Sequence, residues 1–365
     1  MGPQLEYVGD TEVHYNGERW TFFGGNDYHR FSRNPAIIQA LVEAASLHGI
    51  NTAGSRITTA NHALYIDLER TLAKFLGTEA SLICSAGYLS STILLQGIAE
   101  EFDQLFIDET AHASLVDAAS QSGKSTKVFK HCDCSHLEQL LRQHLKPMQR
   151  PLVLTDGIFA SIGDLAPLKA YADLVEAYDG RIITDDAHAV GVLGITGKGS
   201  WEEAGMVRDL VYQTGTLSKG LGGFGGFVAG TAVEIADIRS RSGAFKGSTP
   251  MPLPIAAASI RAIEILQAEP ERIAVLRKRA EQVKPRLRSL GFGVSEGLAP
   301  ICSVTYGNVE KNRRLGKCLI ENRIFPSFID YPGSPPGGHY RFTLSSAHSD
   351  EEIERLCLAV EESTG

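Results

Sequence analysis

The 365-residue sequence has no run of about eighteen apolar residues, so no transmembrane helix is expected. It has no excess of basic charge. Its 35 Lys and Arg face 43 Asp and Glu, a net charge of −8, which argues against nucleic acid or an anionic membrane as a partner. The opening MGPQLEYVGD lacks the basic and apolar regions of a signal peptide, and a cytoplasmic protein is expected. Zinc spacing is missing as well. Cys84, Cys132, Cys134, Cys302, Cys318 and Cys357 are spread along the chain, and such thiols in a large cytosolic protein stay reduced. Cys132-Asp133-Cys134 has a metal-like spacing, but no second cluster completes it. Ordinary packing is its reading, and no metal is expected. Internal repeats and low-complexity linkers are also absent.

What is present is ordinary globular composition, 43% apolar and 21% charged, on a chain long enough for two domains. Leu64, Leu68, Leu72 and Leu76 recur at four-residue spacing and predict a helix, with Gly77 placed as its C-cap. Short apolar runs then alternate with helical patterns. Ala80–Cys84 precedes a turn at Gly87 and a helix. QLFID (104–108), KVFKH (127–131), PLVLTD (151–156), RIITDD (181–186) and DLVYQT (209–214) read as strands, and GGFVAG as another. Such alternation predicts an α/β fold with a mostly parallel sheet covered on both faces. From Met251 the texture changes. Long helical runs over 254–267 and 270–290 lead into strands near ICSVTY and HYRFTL. This divides the chain into a large α/β domain, 31–251, and a smaller α+β domain made of 1–30 plus 252–365.

One stretch, TGTLSKGLGGFGGFVAG (214–230), contains G-x-G-x-x-G at Gly220, Gly222 and Gly225. A dinucleotide fingerprint needs a helix after the glycines, and a β-like run follows instead. No G-x-x-x-x-G-K-[ST] ends at Lys219 either. Two readings remain: a tight turn with a surface lysine, or a loop that presents Lys219 to a carbonyl cofactor. Glycines let backbones approach closely, and burial favours the neutral amine that an imine needs. Pyridoxal phosphate would also need an anion facing its ring nitrogen, at the C-terminal edge of a parallel strand. RIITDDAHAVG supplies Asp185 there, with His188 three residues on. CSAGYLSST places Gly87 and Tyr88 at a strand-to-helix junction fit for a phosphate. DETAHASL offers His112 as a flat partner for the ring.

With these residues assembled, the chain resembles the α-oxoamine synthase family of pyridoxal-phosphate enzymes. The likeness runs from GNDYHRF (25–31) through INTAGSR (50–56), HASLVDAA (112–119), GDLAPL (163–168), DDAHAVGVLG (185–194) and GTLSKGLGGFGG (215–226) to YRFTLSSAHSDEEI (340–353). It implies a fold-type I, aminotransferase-like architecture and a homodimer with active sites at the interface. It gives Lys219 the imine, Asp185 the ring nitrogen, His188 the ring oxygen and His112 the stacking role. Thr216, with Ser218 beside it, would contact the phosphate. Ser248 or Thr249 would reach the phosphate of the neighbouring subunit, and Asn26 and Arg341 would hold the amino-acid carboxylate. The implied reaction is decarboxylative condensation of a small L-amino acid with an acyl thioester, on CoA or a carrier, to give an α-amino ketone. Amino-group transfer on the same fold and a non-catalytic subunit are the alternatives. Three departures bear on substrate choice. Only 24 residues precede GNDYHRF, where family members usually carry a further leading helix. Tyr65 stands where a histidine is common, and Ala160 where a serine usually contacts the cofactor.

Overall fold

Leu105, Phe106, Leu152, Val153, Leu154, Ile182 and Ile183 are all shielded from solvent, with no polar alternation between them. Such runs suit a sheet covered by helices on both faces. The computed structural model describes residues 2–330, 335 and 337–365. The chain divides into two units. One comprises Met1–Arg33, Ala160–Asp164 and Glu271–Gly365, the other Asn34–Phe159 and Leu165–Pro270.

The first unit begins with an antiparallel sheet of β1 (Glu6–Tyr7), β2 (Glu12–Tyr15) and β3 (Glu18–Thr21). Val13, Trp20, Phe22 and Phe325 form its apolar cluster.

The second unit contains α1 (Pro35–His48), α2 (Ala63–Leu76), β4 (Ala80–Cys84), α3 (Ser90–Ile98), β5 (Gln104–Asp108), α4 (Ala113–Gln121), β6 (Ser125–Phe129), α5 (Cys134–His144), β7 (Pro151–Asp156), α6 (Leu168–Glu176), β8 (Arg181–Asp185), α7 (Ser200–Glu203), β9 (Val211–Thr216), β10 (Gly226–Gly230), α8 (Ala232–Arg241), α9 (Gly243–Gly247) and α10 (Leu253–Ala268). Its seven strands lie in the order β4-β10-β9-β8-β7-β5-β6. Neighbours from β9 to β6 run parallel, and β10 alone is reversed, antiparallel to both β9 and β4. The reversal follows from length: the segment joining β9 to β10 holds nine residues, too few for the crossover a parallel pair needs. On one face Leu94 and Ile98 of α3 and Ile235 and Ile238 of α8 pack over Leu82, Leu105 and Val228. In α2, Leu68, Leu72 and Leu76 are buried and Gly77 caps the helix in the left-handed region, φ 70°.

The remainder of the first unit holds α11 (Glu271–Ser289), β11 (Ile301–Val304), α12 (Val309–Glu321), β12 (Phe328–Ile329), β13 (His339–Thr343) and α13 (Asp350–Glu362), with strands in the antiparallel order β11-β13-β12. Their core includes Val283, Leu287, Val304, Leu315, Phe342 and Leu356.

The division between units falls after Pro270, whereas the change of texture in the sequence sets it after residue 251. The reason is α10, whose apolar face lies along α1 and α2. Ala160–Asp164 joins the first unit instead, where the Ser295 hydroxyl donates to the Gly163 carbonyl at 2.8 Å. β6 begins at Ser125, two residues before the apolar run at Lys127, because an edge strand buries little and so carries a weak apolar signal. Among the described residues no helix is long and apolar enough to cross a membrane.

Candidate active site

Three neighbouring parallel strands, β8, β7 and β5, end in Asp185, Asp156 and Asp108. This is the sheet edge at which open α/β folds take ligands. Asp156 and Asp185 are register partners and both are 5% exposed. Asp185 accepts the Ala187 N–H at 3.0 Å and the Ser114 hydroxyl at 3.4 Å. Asp156 accepts the His112 N–H at 2.8 Å. Burial, and then the charge of Asp185, push the Asp156 carboxyl well above the usual range. Two neighbouring buried carboxylates cannot both ionise cheaply, and the proximity favours the protonated form of Asp156.

The glycine-rich stretch presents a lysine. Past β9 the chain turns back on itself: Leu217 N–H donates to Gly225 O at 2.9 Å, Gly223 N–H to Leu217 O at 2.8 Å and Gly222 N–H to Lys219 O at 3.0 Å. A Cβ on Gly220 would stand 2.3 Å from the Val190 carbonyl, and one on Gly225 2.9 Å from that of Cys84. These glycines serve close packing of backbone on backbone. The turn aims Lys219 Nζ at His188 Nε2, 2.8 Å away. His188 itself is 5% exposed, on a turn anchored by buried Asp186. Asp186 accepts from the Ser200 hydroxyl, the Ser200 N–H and the Gln213 amide at 2.5, 3.1 and 2.6 Å.

A third wall is made where β4 gives way to α3. Gly87 lies flat on Thr216: a Cβ there would fall 2.7 Å from Thr216 Cβ. Thr216 Oγ1 donates to Gly225 O at 2.7 Å and lies 2.7 Å from Ser218 Oγ. Tyr88 is half-exposed, its hydroxyl 2.5 Å from Asp117 Oδ2 and its ring edge-on to His112 at 6.0 Å. The His112 ring caps α4, with Nδ1 2.8 Å from Ser114 Oγ.

Together these groups line one cavity of about 200 Å³. It gathers Lys219, Asp185, His188 and His112 with Gly87, Tyr88, Thr216 and Ser218. It adds Asp156 and Ser114, which the sequence reading missed. Asp156 had a visible signal, since PLVLTD ends in aspartate just as RIITD does. The donor set fits pyridoxal phosphate: an amine for its carbonyl, a buried carboxylate for its ring nitrogen, and a helix start with two hydroxyls for its phosphate. The flat approach at Gly87, which any side chain would fill, suits the same group.

The lining does not include the other sequence-assigned residues. In the first unit Arg341 Nη2 donates to Asn26 Oδ1 at 3.0 Å and Nη1 to the Ala160 carbonyl at 3.2 Å. Ser248 donates to Ala244 O at 2.5 Å, Thr249 is exposed, and neither lines the cavity of its own chain. Tyr65 is fully buried, with its hydroxyl donating to Met251 O at 2.7 Å.

Residues 18–360 match the family described as aminotransferase class I and II. The chain is similar to 8-amino-7-oxononanoate synthase of Methylocella silvestris, at 34% identity over 94% of this chain and 97% of that protein. The enzyme of the same name from Alkaliphilus metalliredigens is 32% identical, over 97% and 90%. Among solved structures, serine palmitoyltransferase of Sphingomonas wittichii superposes with a TM-score of 0.90 at 26% identity, over 98% of this chain and 90% of that one.

Proposed function

The chain belongs to the aminotransferase class I and II family, has the fold-type I architecture and groups with the α-oxoamine synthases; on that premise we propose that it joins a small L-amino acid to an acyl thioester with loss of carbon dioxide. The relatives' product name defines the substrates. In 8-amino-7-oxononanoate, carbons 8 and 9 with the amine are alanine without its carboxylate. Carbons 1 to 7 are a seven-carbon dicarboxylic (pimeloyl) acyl group. We take L-alanine and a pimeloyl thioester as the substrate pair.

The observation that carries this reading is the approach of Lys219 Nζ to His188 Nε2 at 2.8 Å, in the cavity that Asp185 closes. Pyridoxal phosphate, when bound, supplies an electron-withdrawing ring that stabilises negative charge at the substrate α-carbon. Lys219 is the amine that holds its carbonyl group and, once displaced by substrate, the base that takes the α-proton. Asp185 keeps the proton on the ring nitrogen. Ser114 and the Ala187 N–H orient the Asp185 carboxylate. His188 fixes Lys219 and would bond the ring oxygen, and His112 would offer its flat face to the ring. Gly87, Tyr88, Thr216 and Ser218 would hold the phosphate. His188 or His112 donates to the oxygen that becomes negative when the thioester is attacked. Arg341, oriented by Asn26, grips the amino-acid carboxylate through its guanidinium fork.

A homodimer completes the site in this reading, with Ser248 or Thr249 serving the partner's phosphate. Exposed Ile38 and Val42 on one face of α1, with Leu47, Ile50 and Ile57 nearby in sequence, support such an interface. Six free thiols suit a cytoplasmic setting.

The test is a panel of amino acids and acyl thioesters offered to the cofactor-loaded protein, with products identified by mass spectrometry. 8-Amino-7-oxononanoate from alanine and the pimeloyl thioester is the expected product. Absence of any amino ketone across the panel would overturn the reading.

A further inference from the structure

Asp108 ends β5, and the chain leaving β6 brings His131 and Cys132 against it. Asp108 Oδ1 lies 3.0 Å from His131 Nδ1, and Oδ2 accepts the Cys132 N–H at 2.9 Å. The far ring nitrogen, Nε2, lies 3.7 Å from Cys132 Sγ. Carboxylate, imidazole and thiol thus stand in line, each touching the next. That order lets an imidazole take a thiol proton while the carboxylate steadies the imidazolium. Burial works against charge on Asp108, but His131 and the N–H groups of Cys132 and Thr110 outweigh it and hold the carboxyl below the usual range.

Two independent features aim at the same sulfur. Tyr171 is 0% exposed and its hydroxyl is turned to Cys132, whose sulfur also lies 3.8 Å from the Leu165 carbonyl. A neutral thiol is a poor acceptor, whereas a thiolate would receive the Tyr171 hydroxyl strongly. The backbone of Cys132 is also left-handed, φ 53°, a conformation that non-glycine residues adopt only when held there. Its N–H bond to Asp108 is the hold. His131 and Cys132 are half-buried rather than sealed from solvent.

We propose that Cys132 is a modification site, a thiol activated by His131 and Asp108 that reacts with small hydroperoxides such as hydrogen peroxide. The thiol proton passes to His131 Nε2. The thiolate attacks one peroxide oxygen; the S–O bond forms and the O–O bond breaks. Sulfur loses two electrons to become a sulfenic acid. The departing hydroxide takes the proton back from His131 and leaves as water. The cavity around Lys219 plays no part in this step.

Cys134 is the internal control. It is also half-buried, on the same peptide, and burial pushes its thiol up. The cofactor-loaded enzyme is exposed to hydrogen peroxide with a sulfenic-acid trap, and both cysteines are followed by mass spectrometry. Cys132 is expected to be trapped about tenfold faster than Cys134. His131→Gln should bring it down to the Cys134 rate, and Tyr171→Phe should slow it severalfold with melting temperature retained. Equal rates at the two cysteines in the wild type would overturn the proposal, as would full Cys132 reactivity in folded His131→Gln or, if that variant fails to fold, in Tyr171→Phe. One equivalent of tightly held zinc, lost in Cys132→Ser, would assign the cluster to metal binding and overturn it too.

Discussion

Asp156 and Asp185 end β7 and β8 side by side, in register and almost fully buried, and Asp156 holds its proton above the usual carboxylate range. An unfolded aspartate titrates near about pH 4. An acid whose folded value is raised contributes stability below the unfolded value, and that contribution is lost as pH climbs through the folded value. The contribution of Asp156 to the stability of the cofactor-free protein should therefore shrink as pH rises from about 4. Asp156→Asn mimics the protonated form and should flatten this slope. Denaturant titrations from acid to neutral pH read it directly; parallel profiles for variant and wild type would contradict the pairing.

Asp185→Asn separates shape from charge. The amide keeps the contacts to Ser114 and Ala187 within reach, so the fold and cofactor binding should survive. Turnover should fall on the order of a thousandfold, about 4 kcal/mol of barrier, because the ring nitrogen loses its anion. Steady-state kinetics beside a cofactor titration check this, and a near-normal rate would remove Asp185 from the chemistry.

The strands that carry the site were legible because they are buried on both faces: QLFID and PLVLTD match β5 and β7 end to end. Several residues that line the cavity were legible from residue type in its local setting, as with Asp185 at a strand end and Lys219 in the glycine-rich turn. Asp156 was missed since its partner lies on another strand, and register between strands is not written in local pattern. The Asp108–His131–Cys132 line is hidden for the same reason: Cys132-Asp133-Cys134 is a pattern along the chain, whereas Cys132 meets Asp108 of β5 and the Leu165 carbonyl across the fold. The α10 boundary was misplaced because a helix's apolar stripe does not say which unit it faces.

Glu69 should matter for stability. It is 6% exposed and receives Arg56 through two bonds, at 2.5 and 3.1 Å, as well as Arg239 at 3.1 Å and the Ile83 N–H. Glu69→Ala leaves the buried Arg56 charge without its partner and should cost about 3–5 kcal/mol. Equilibrium unfolding measures it; a loss below about 1 kcal/mol would show that the pair is worth no more than a surface ion pair.

Val42 tests the dimer. It lies on the exposed face of α1, one turn from Ile38. Val42→Asp should leave the fold intact, shift the protein from dimer to monomer in sedimentation, and lower activity with it. A wild-type monomer with full activity would refute the shared site.

Acyl transfer and amino-group transfer begin alike and part after the α-proton leaves, so the fate of the thioester decides between them. The decisive measurement incubates the cofactor-loaded enzyme with carboxyl-labelled L-alanine and the pimeloyl thioester and counts thiol, carbon dioxide and pyruvate together. Release of thiol and labelled carbon dioxide in equal amounts, without pyruvate, is the predicted result. Accumulation of pyruvate with the thioester untouched would contradict it and make the enzyme an aminotransferase.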